Sequence, residues 1–536
     1  MKKLRREPLL LATILIVAAS LFLFVVYPAL RVLLYPDMAA YRDYLGNSRW
    51  VAATWNSLVM AVLSTITATA VGFLYAYALV YTDIRGKGLL RTLAILPMIS
   101  PPFMVAISYI FLFGGRGLIT YHLFGQTVNL YGWRGLWAVQ TIAFFPYAYQ
   151  IIAGVLMGIN PSLEYAARNL GAGAWRVFRT VTLPLARPGI LNAALVIAVY
   201  VLADFGNPIL IAGNFPLLPT EAYLQISGWF NLKSAAVLSS ILLAPALGFF
   251  LLQRRLEGRR SYVTVTGKGS SLTKPPQPKL VSAFFAVFCG LVAAIIVAVY
   301  GILIAGAFTQ TWGVRWTPTL RHWEYVIFRS KELFNSIQFS LVAALTCAVF
   351  SLLVAYIVSR QEFPGKRALD FCAVLPAAIP GVFYGIGFIM AFNKPPLALT
   401  GTAAIIVLSM IFWNIPTGYR AGIAGLAQID KSIEEAASNL GASSLHTFKD
   451  ILLPLLRLPF VTAFVTAFVR AITTLSVVIF LVTPGNNLAT VLILGLIDYA
   501  EWSRAAAMTT ALIVSAFVVL GLAQLATGRK AAIFRA

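Results

Sequence analysis

Long runs of apolar residues alternate with short polar segments along the whole chain. A bilayer-spanning helix needs ~20 consecutive, mostly apolar residues. On that criterion the pattern predicts about twelve spans. They fall near 9–34, 51–81, 91–113, 134–159, 188–212, 234–253, 280–307, 333–359, 369–392, 401–425, 457–483 and 505–527. The runs are continuous instead of alternating residue by residue, which argues for helices and against a porin-like barrel. Several runs exceed the minimum length, and tilt or extension beyond the bilayer absorbs the excess. The first run is too long for a signal-peptide core and has no convincing cleavage site, so it is expected as a retained first helix.

The polar segments repeat. Glu164-Tyr-Ala-Ala-Arg-Asn-Leu-Gly-Ala…Phe178…Leu183-Pro184-Leu185 aligns without a gap on Glu434-Glu-Ala-Ala-Ser-Asn-Leu-Gly-Ala…Phe448…Leu453-Pro454-Leu455, with 11 of 22 positions identical at an offset of 270. Earlier, Asn56-Ser57, Gly86-Lys87 and Leu96-Pro97 match Asn335-Ser336, Gly365-Lys366 and Leu375-Pro376 at an offset of 279. One indel in the loop 114–133 against 393–400 accounts for the difference. The expected fold is therefore all-α and transmembrane, built as two homologous six-span halves in the same orientation. The halves are 1–252 and 280–536. Between them, 253–279 carries seven Lys/Arg with Gly and Pro, and reads as a basic cytoplasmic linker.

Composition and charge sharpen this picture. Of 536 residues, 60% are apolar and 11% charged, against about 45–50% and about 25% in soluble chains. A soluble enzyme, a disordered chain and a disulfide scaffold are excluded. The net charge of +23 would suggest nucleic acid in a soluble protein. Here its placement matters more. With the N-terminus inside, 28 of 41 Lys/Arg fall in the segments assigned to the cytoplasm, 11 fall outside, and Arg31 and Arg470 sit at or inside spans. Both termini are thus expected in the cytoplasm, and no nucleic-acid partner is expected. Membrane lipid is. Cys289, Cys347 and Cys372 lie in apolar stretches without metal-ligand spacing. His122, His322 and His446 are scattered, so no resident metal site is expected.

The repeated loop has a physical reading. Asn160 can cap a helix whose first residue is Pro161. In the second copy Asp430 can cap, or Ser432 with Glu435 can form a capping box. Leu163, Ala166, Ala167 and Leu170 share one helical face, as do Ile433, Ala436, Ala437 and Leu440. Gly171 and Gly441 permit a turn. A second amphipathic helix follows, with Trp175, Phe178 and Thr182, or Leu445, Phe448 and Leu452, on one side. Pro184 and Pro454 then mark re-entry towards the membrane.

Glu-Ala-Ala, three residues, Gly, and further on Leu-Pro resembles the coupling-helix signature of binding-protein-dependent ABC importers. The two-half arrangement resembles their fused permeases of type I over the whole chain. The second copy matches fully. In the first, Tyr165 stands where the Glu of the pattern would be, with Glu164 one residue earlier, which puts any ionic contact by that residue in question. The resemblance implies that Glu164, Ala166, Ala167, Gly171, Leu183 and Pro184, and Glu435, Ala436, Ala437, Gly441, Leu453 and Pro454, couple the chain to ATP-binding cassette subunits, two copies in all. It also implies an extracytoplasmic substrate-binding protein and a place in a bacterial inner membrane. The chain itself lacks G-x-x-x-x-G-K-[ST], so it is expected to hold no cofactor and to do no catalysis, with ATP used by the partner. Ala203-Asp204-Phe205-Gly206 and Thr474-Leu-Ser-Val-Val-Ile-Phe480, with Asn-Leu-Gly-Ala in the loops, resemble ferric-iron permeases most. Permeases for phosphonate, sugar phosphate, thiamine, polyamine or sulfate are alternatives. An ion-coupled secondary transporter is the competing class, and it leaves two coupling-type loops on one side unexplained.

Charge inside a span is costly, ~2.5–3.5 kcal/mol at a helix centre on insertion scales. Asp204 and Arg470 fall in the equivalent fifth and eleventh spans. Their expected role is to line or close a translocation path, with Tyr200, Asn207 and Thr474 as further polar lining. The competing reading is a structural hydrogen bond near a helix end.

Overall fold

The computed structural model describes residues 7–259, 274–275 and 277–527. The linker expected at 253–279 falls largely outside these, as do the basic residues at both termini. Among the described residues, nine helices are long and apolar enough to cross a bilayer, or eleven if two sharply bent pairs each count as one. The tenth expected span is the 24-residue helix Ala403–Leu426. Asn414, Pro416 and Arg420 make this continuous helix too polar to join that count.

Prolines correct several expected spans. The run 91–113 is two helices, Lys87–Ile99 and Met104–Phe113, parted at Ser100-Pro101-Pro102. Its equivalent, 369–392, is Lys366–Ala377 and Gly381–Ala391, bent by 114° before Gly381. Two adjacent prolines in the first case, and Pro380 in the second, remove backbone donors and push the preceding residue out of helical geometry.

The chain divides into two compact units, and these are not the two sequence halves. One contains residues 7–44, 222–243 and 320–527, and the other residues 45–221 with the described part of 244–319. Each unit builds its centre from one half and takes its opening helix from the opposite half. In one unit Ser48–Tyr81, Trp133–Gly158 and Leu183–Ala203 pack on one another. In the other the equivalents Lys331–Arg360, Ala403–Leu426 and Arg457–Ile472 do the same.

Both centres depend on a close helix crossing. A Cβ on Gly72 would sit 2.5 Å from the Ala148 side chain, and one on Gly418 would sit 2.5 Å from the Ser351 hydroxyl. By the offsets, Gly72 corresponds to Ser351 and Ala148 to Gly418. The crossing is kept, but the glycine has changed helix, because only the summed bulk at the contact is constrained.

The helix Pro8–Leu34 belongs to the unit of the second half. Pro28 has no N–H, so the Phe24 carbonyl four residues earlier loses its helical donor. The helix relaxes into a π-helical stretch at Phe22–Val26, and the buried Tyr384 hydroxyl donates to the Phe24 carbonyl at 2.7 Å. The Phe24 ring packs on Phe412 at 4.6 Å. Tyr384→Phe removes that donor. It should lower the stability of the purified protein by about 1–2 kcal/mol, read as a lower midpoint of thermal unfolding in detergent. In the other unit Lys279–Phe308 is placed by comparable contacts. The Ser108 hydroxyl donates to the Val299 carbonyl at 2.8 Å, Ser100 bonds Tyr300, and Gly306 lies against Phe111.

Candidate functional site: the paired loops

Each repeated loop is a helix–turn–helix. Its first helix is Pro161–Asn169 in one copy and Lys431–Asn439 in the other. Asn160 and Asp430 cap them, each accepting the N–H two residues on, at 3.0 Å from Ser162 and 2.9 Å from Ser432. Of the two caps open in the second copy, Asp430 is the one formed, and Ser432 lies inside the helix. The helices end at Gly171 and Gly441, with φ of +84° and +87° and nothing within 4 Å of where a Cβ would stand. The left-handed turn favours glycine, and the open space leaves room for another surface.

The exposed crests of the two loops match. Leu170 and Leu440 are 90% and 89% exposed. Leu163 and Ile433 are also exposed, as are Ala166 and Ala436. Ala167 is half-buried and Ala437 buried, so the second alanine of each pair turns towards its own unit. The second helix of each loop is fixed through an aromatic residue. Phe178 meets Tyr77 edge-on at 5.4 Å, and Phe448 lies 4.9 Å from Tyr356. Tyr77 and Tyr356 are themselves equivalent, at the offset of 279. Trp175 is exposed and stacks on Phe178.

Pro184 and Pro454 are exposed, and neither breaks its helix at its own position. In the first copy the π-helical turn Phe178–Thr182 runs into Leu183–Ala203, so Ala174–Ala203 is one span-length helix. The wider turn accommodates the proline ring. In the second copy the break comes after Pro454, and Ser444–Leu455 meets Arg457–Ile472 at 78°. Leu183 opens the long helix Leu183–Ala203 and Leu453 the short stretch Leu453–Leu455, and both are half-buried.

Glu164 does not belong to the outward face. It is fully buried and accepts hydrogen bonds from the Tyr81 hydroxyl at 2.7 Å and the Thr182 hydroxyl at 2.8 Å. Its structural equivalent is Glu434, which pairs with Arg360 at 2.7 Å. The Arg360 guanidinium also donates to the Leu426 and Ile429 carbonyls at 2.8 and 2.7 Å. Tyr81 and Arg360 occupy equivalent positions at the ends of the long helices. One ties its loop by a neutral hydroxyl and the other by an ion pair. Glu435, one residue on, is exposed, and Tyr165 in the same place is half-buried. Sequence reasoning does not reach Tyr81 or Arg360, and it places Thr182 only on the face of the second helix. The gap-free match of Glu164 with Glu434 was the available signal.

The polar residues offered as path lining have partners within their own units. Asp204 lies at a break in the fifth span, between Leu183–Ala203 and the short helix Gly206–Ile211. Its carboxylate accepts from Gln140 Nε2 and Asn207 Nδ2 at 3.0 Å each, and from the Asn207 N–H at 3.3 Å. Gln140 Oε1 in turn accepts from Ser64 at 2.8 Å. Asp204 and Asn207 are therefore buried in a helix cap. Thr474, at the equivalent break, is buried too, and its carbonyl accepts from Thr490 at 2.7 Å. Tyr200 and Arg470 are half-buried. Tyr200 meets Tyr147 edge-on at 4.8 Å, while Arg470 donates to Thr417 at 3.2 Å and lies over Trp413. Among the described residues no group of three or more His, Cys, Asp or Glu is placed to hold a metal ion.

A duplicated set of membrane helices, each copy carrying the same exposed loop, defines the transmembrane subunit of a transport system. The chain belongs to the family described as binding-protein-dependent transport system inner membrane component, which matches residues 68–262 and 350–530. It is 35% identical to the ferric transport system permease protein FbpB of Actinobacillus pleuropneumoniae, over 97% of this chain and 78% of that protein. It is also 35% identical to the putative ferric transport system permease protein FbpB 1 of Haemophilus influenzae, over 90% and 79%. The molybdenum transport system permease protein ModB of Escherichia coli is 34% identical over 38% of this chain and 91% of its own length. That last match covers about one half of the duplication. The protein is thus an integral inner-membrane permease subunit of an ABC importer and is not itself catalytic.

Proposed function

We propose that the chain carries ferric iron across the inner membrane. The iron is received from an extracytoplasmic binding protein and moved at the expense of ATP hydrolysed on two separate cassette subunits. The loops and both termini lie on the cytoplasmic side, as the Lys/Arg asymmetry indicates. The observation that carries the coupling role is the matched pair of exposed crests, Leu163–Leu170 and Ile433–Leu440, each ending at an open left-handed glycine. Isolated apolar crests on polar loops suit a groove on a partner. Each loop is tied to its own unit by Glu164 or Glu434, so a push on a crest reaches the helices behind it. Iron as cargo is supported by the near full-length relatives named for ferric transport.

One reconstitution tests both parts. With the cassette subunits and the binding protein present, iron should be taken up and should displace other cargo from the binding protein. An oxyanion carried in its place would overturn the iron assignment and leave the rest standing. Gly441→Asn tolerates the left-handed turn but fills the open space, so it should lower transport and substrate-stimulated ATP hydrolysis several-fold without loss of the protein from the membrane. Gly441→Val adds backbone strain of about 1–3 kcal/mol and should be worse. Unchanged transport in Gly441→Asn and in the matching Gly171→Asn would show that the loops do not meet the ATPase.

A further inference from the structure

The residue that leads into the opening helix of each sequence half ends on a loop of the opposite half. Glu7 stands immediately before Pro8–Leu21. Its carboxylate accepts the Ser444 N–H at 3.0 Å and the Ser444 hydroxyl at 3.0 Å. Ser444 begins the second helix of the second loop, and its carbonyl accepts the Tyr356 hydroxyl at 3.0 Å. Its N–H, hydroxyl and carbonyl are all held from outside the loop. Lys274 approaches Lys279–Phe308 in the same manner. Its ammonium donates to the Ile159 carbonyl, the last carbonyl before the cap of the first loop. It also lies 5.1 Å from the centre of the Tyr81 ring, whose hydroxyl holds Glu164. Burial pulls the Lys274 ammonium below its usual range, and the Glu164 carboxylate acts against that shift.

The two charges have opposite signs, and each suits the helix end it meets. An anion is favoured at a helix N-terminus, where Glu7 sits, and a cation at a C-terminus, where Lys274 meets the carbonyl of Ile159, the cap residue of Trp133–Gly158. We propose that Glu7 and Lys274 are positioning residues that set the angle of the two coupling loops, each loop being held by the segment that opens the opposite half. This inference rests on the reading of the loops as the docking points of the ATPase.

The test uses the full chain in lipid nanodiscs and follows backbone hydrogen exchange by mass spectrometry. Glu7→Ala should raise exchange in 443–450 about tenfold, as loss of a charge-assisted hydrogen bond predicts, and leave 159–170 unchanged. Lys274→Met should do the reverse. Glu7→Gln and Lys274→Arg, which keep an acceptor and a donor, should recover much of the protection. In the reconstituted complex, each loosened loop should lower the amount of substrate moved per ATP by at least twofold. Unchanged exchange in both loops overturns the inference and leaves the proposed function intact. A rise spread equally over both loops, which marks general loosening, also overturns it. Loosened loops with an unchanged ratio of transport to hydrolysis would overturn the coupling role itself, and the inference with it.

Discussion

Arg360→Met is expected to abolish transport while the protein still reaches the membrane. The guanidinium makes three contacts at once, to the Glu434 carboxylate and to the Leu426 and Ile429 carbonyls. These join the end of one long helix to the end of Ala403–Leu426 and to the first helix of the second loop. Arg360 is 8% exposed at its side chain and Glu434 18%. Removing one partner of a largely buried ion pair costs up to about 3–5 kcal/mol. The loss is local, so protease cleavage within 427–443 should rise steeply while the helices stay protected. Arg360→Lys keeps the charge but cannot fork between a carboxylate and two carbonyls, so it should restore only part of the transport. Normal uptake by Arg360→Met would show that the seating of this loop is immaterial. In the first loop Glu164→Gln should be much milder, because its donors, Tyr81 and Thr182, are neutral hydroxyls that an amide oxygen also satisfies.

Asp204→Ala should destabilise the protein by about 3–4 kcal/mol, since buried donors left unmatched cost about 1–3 kcal/mol each. Three donors lose their acceptor: Gln140 Nε2, Asn207 Nδ2 and the Asn207 N–H. Asp204→Asn is not a neutral replacement. If its oxygen takes the two side-chain donors, its own amide faces the Asn207 N–H, donor against donor. A smaller loss, about 1–2 kcal/mol, is expected there. Thermal unfolding of the purified protein and its level in the membrane read both. An Asp204→Ala protein as stable as the parent, but inactive, would move Asp204 from the helix cap to the substrate.

Much of this was legible from residues alone, for identifiable reasons. Span positions follow from apolar runs that nothing but a bilayer explains. The loops were legible because a polar pattern recurs where drift is otherwise free, and the turn glycines and the Asn160 and Asp430 caps are local chemistry. The breaks at Pro101 and Pro380 were available in principle, but hydropathy averages over them. The direction of Glu164 was hidden by the motif itself. Matching Glu-Ala-Ala to Tyr165 drew attention to the outward position, whereas the buried position is marked by Glu164 and Glu434 together. Its partners had diverged to Tyr81 and Arg360, so no shared residue announced them. The ownership of the opening helices was illegible for a different reason. Over residues 8–30 the helix Pro8–Leu34 carries no charge on any side, and such a helix carries no stripe that names its neighbour.

That exchange of opening helices bears on how the molecule is made. Pro8–Leu34 leaves the ribosome first, yet its native neighbours, Gly381–Ala391 among them, are synthesised more than 300 residues later. Until then the helix must wait in the bilayer with its native contacts unmade, exposed to rival pairings. The wait is long but thermodynamically mild, because the entropy of closing a loop grows only with the logarithm of its length. Each compact unit is also stitched from both halves. Cutting the chain between residues 260 and 273 would therefore not yield two independent proteins. The fragments would remain interlocked, and neither would refold faithfully without the other.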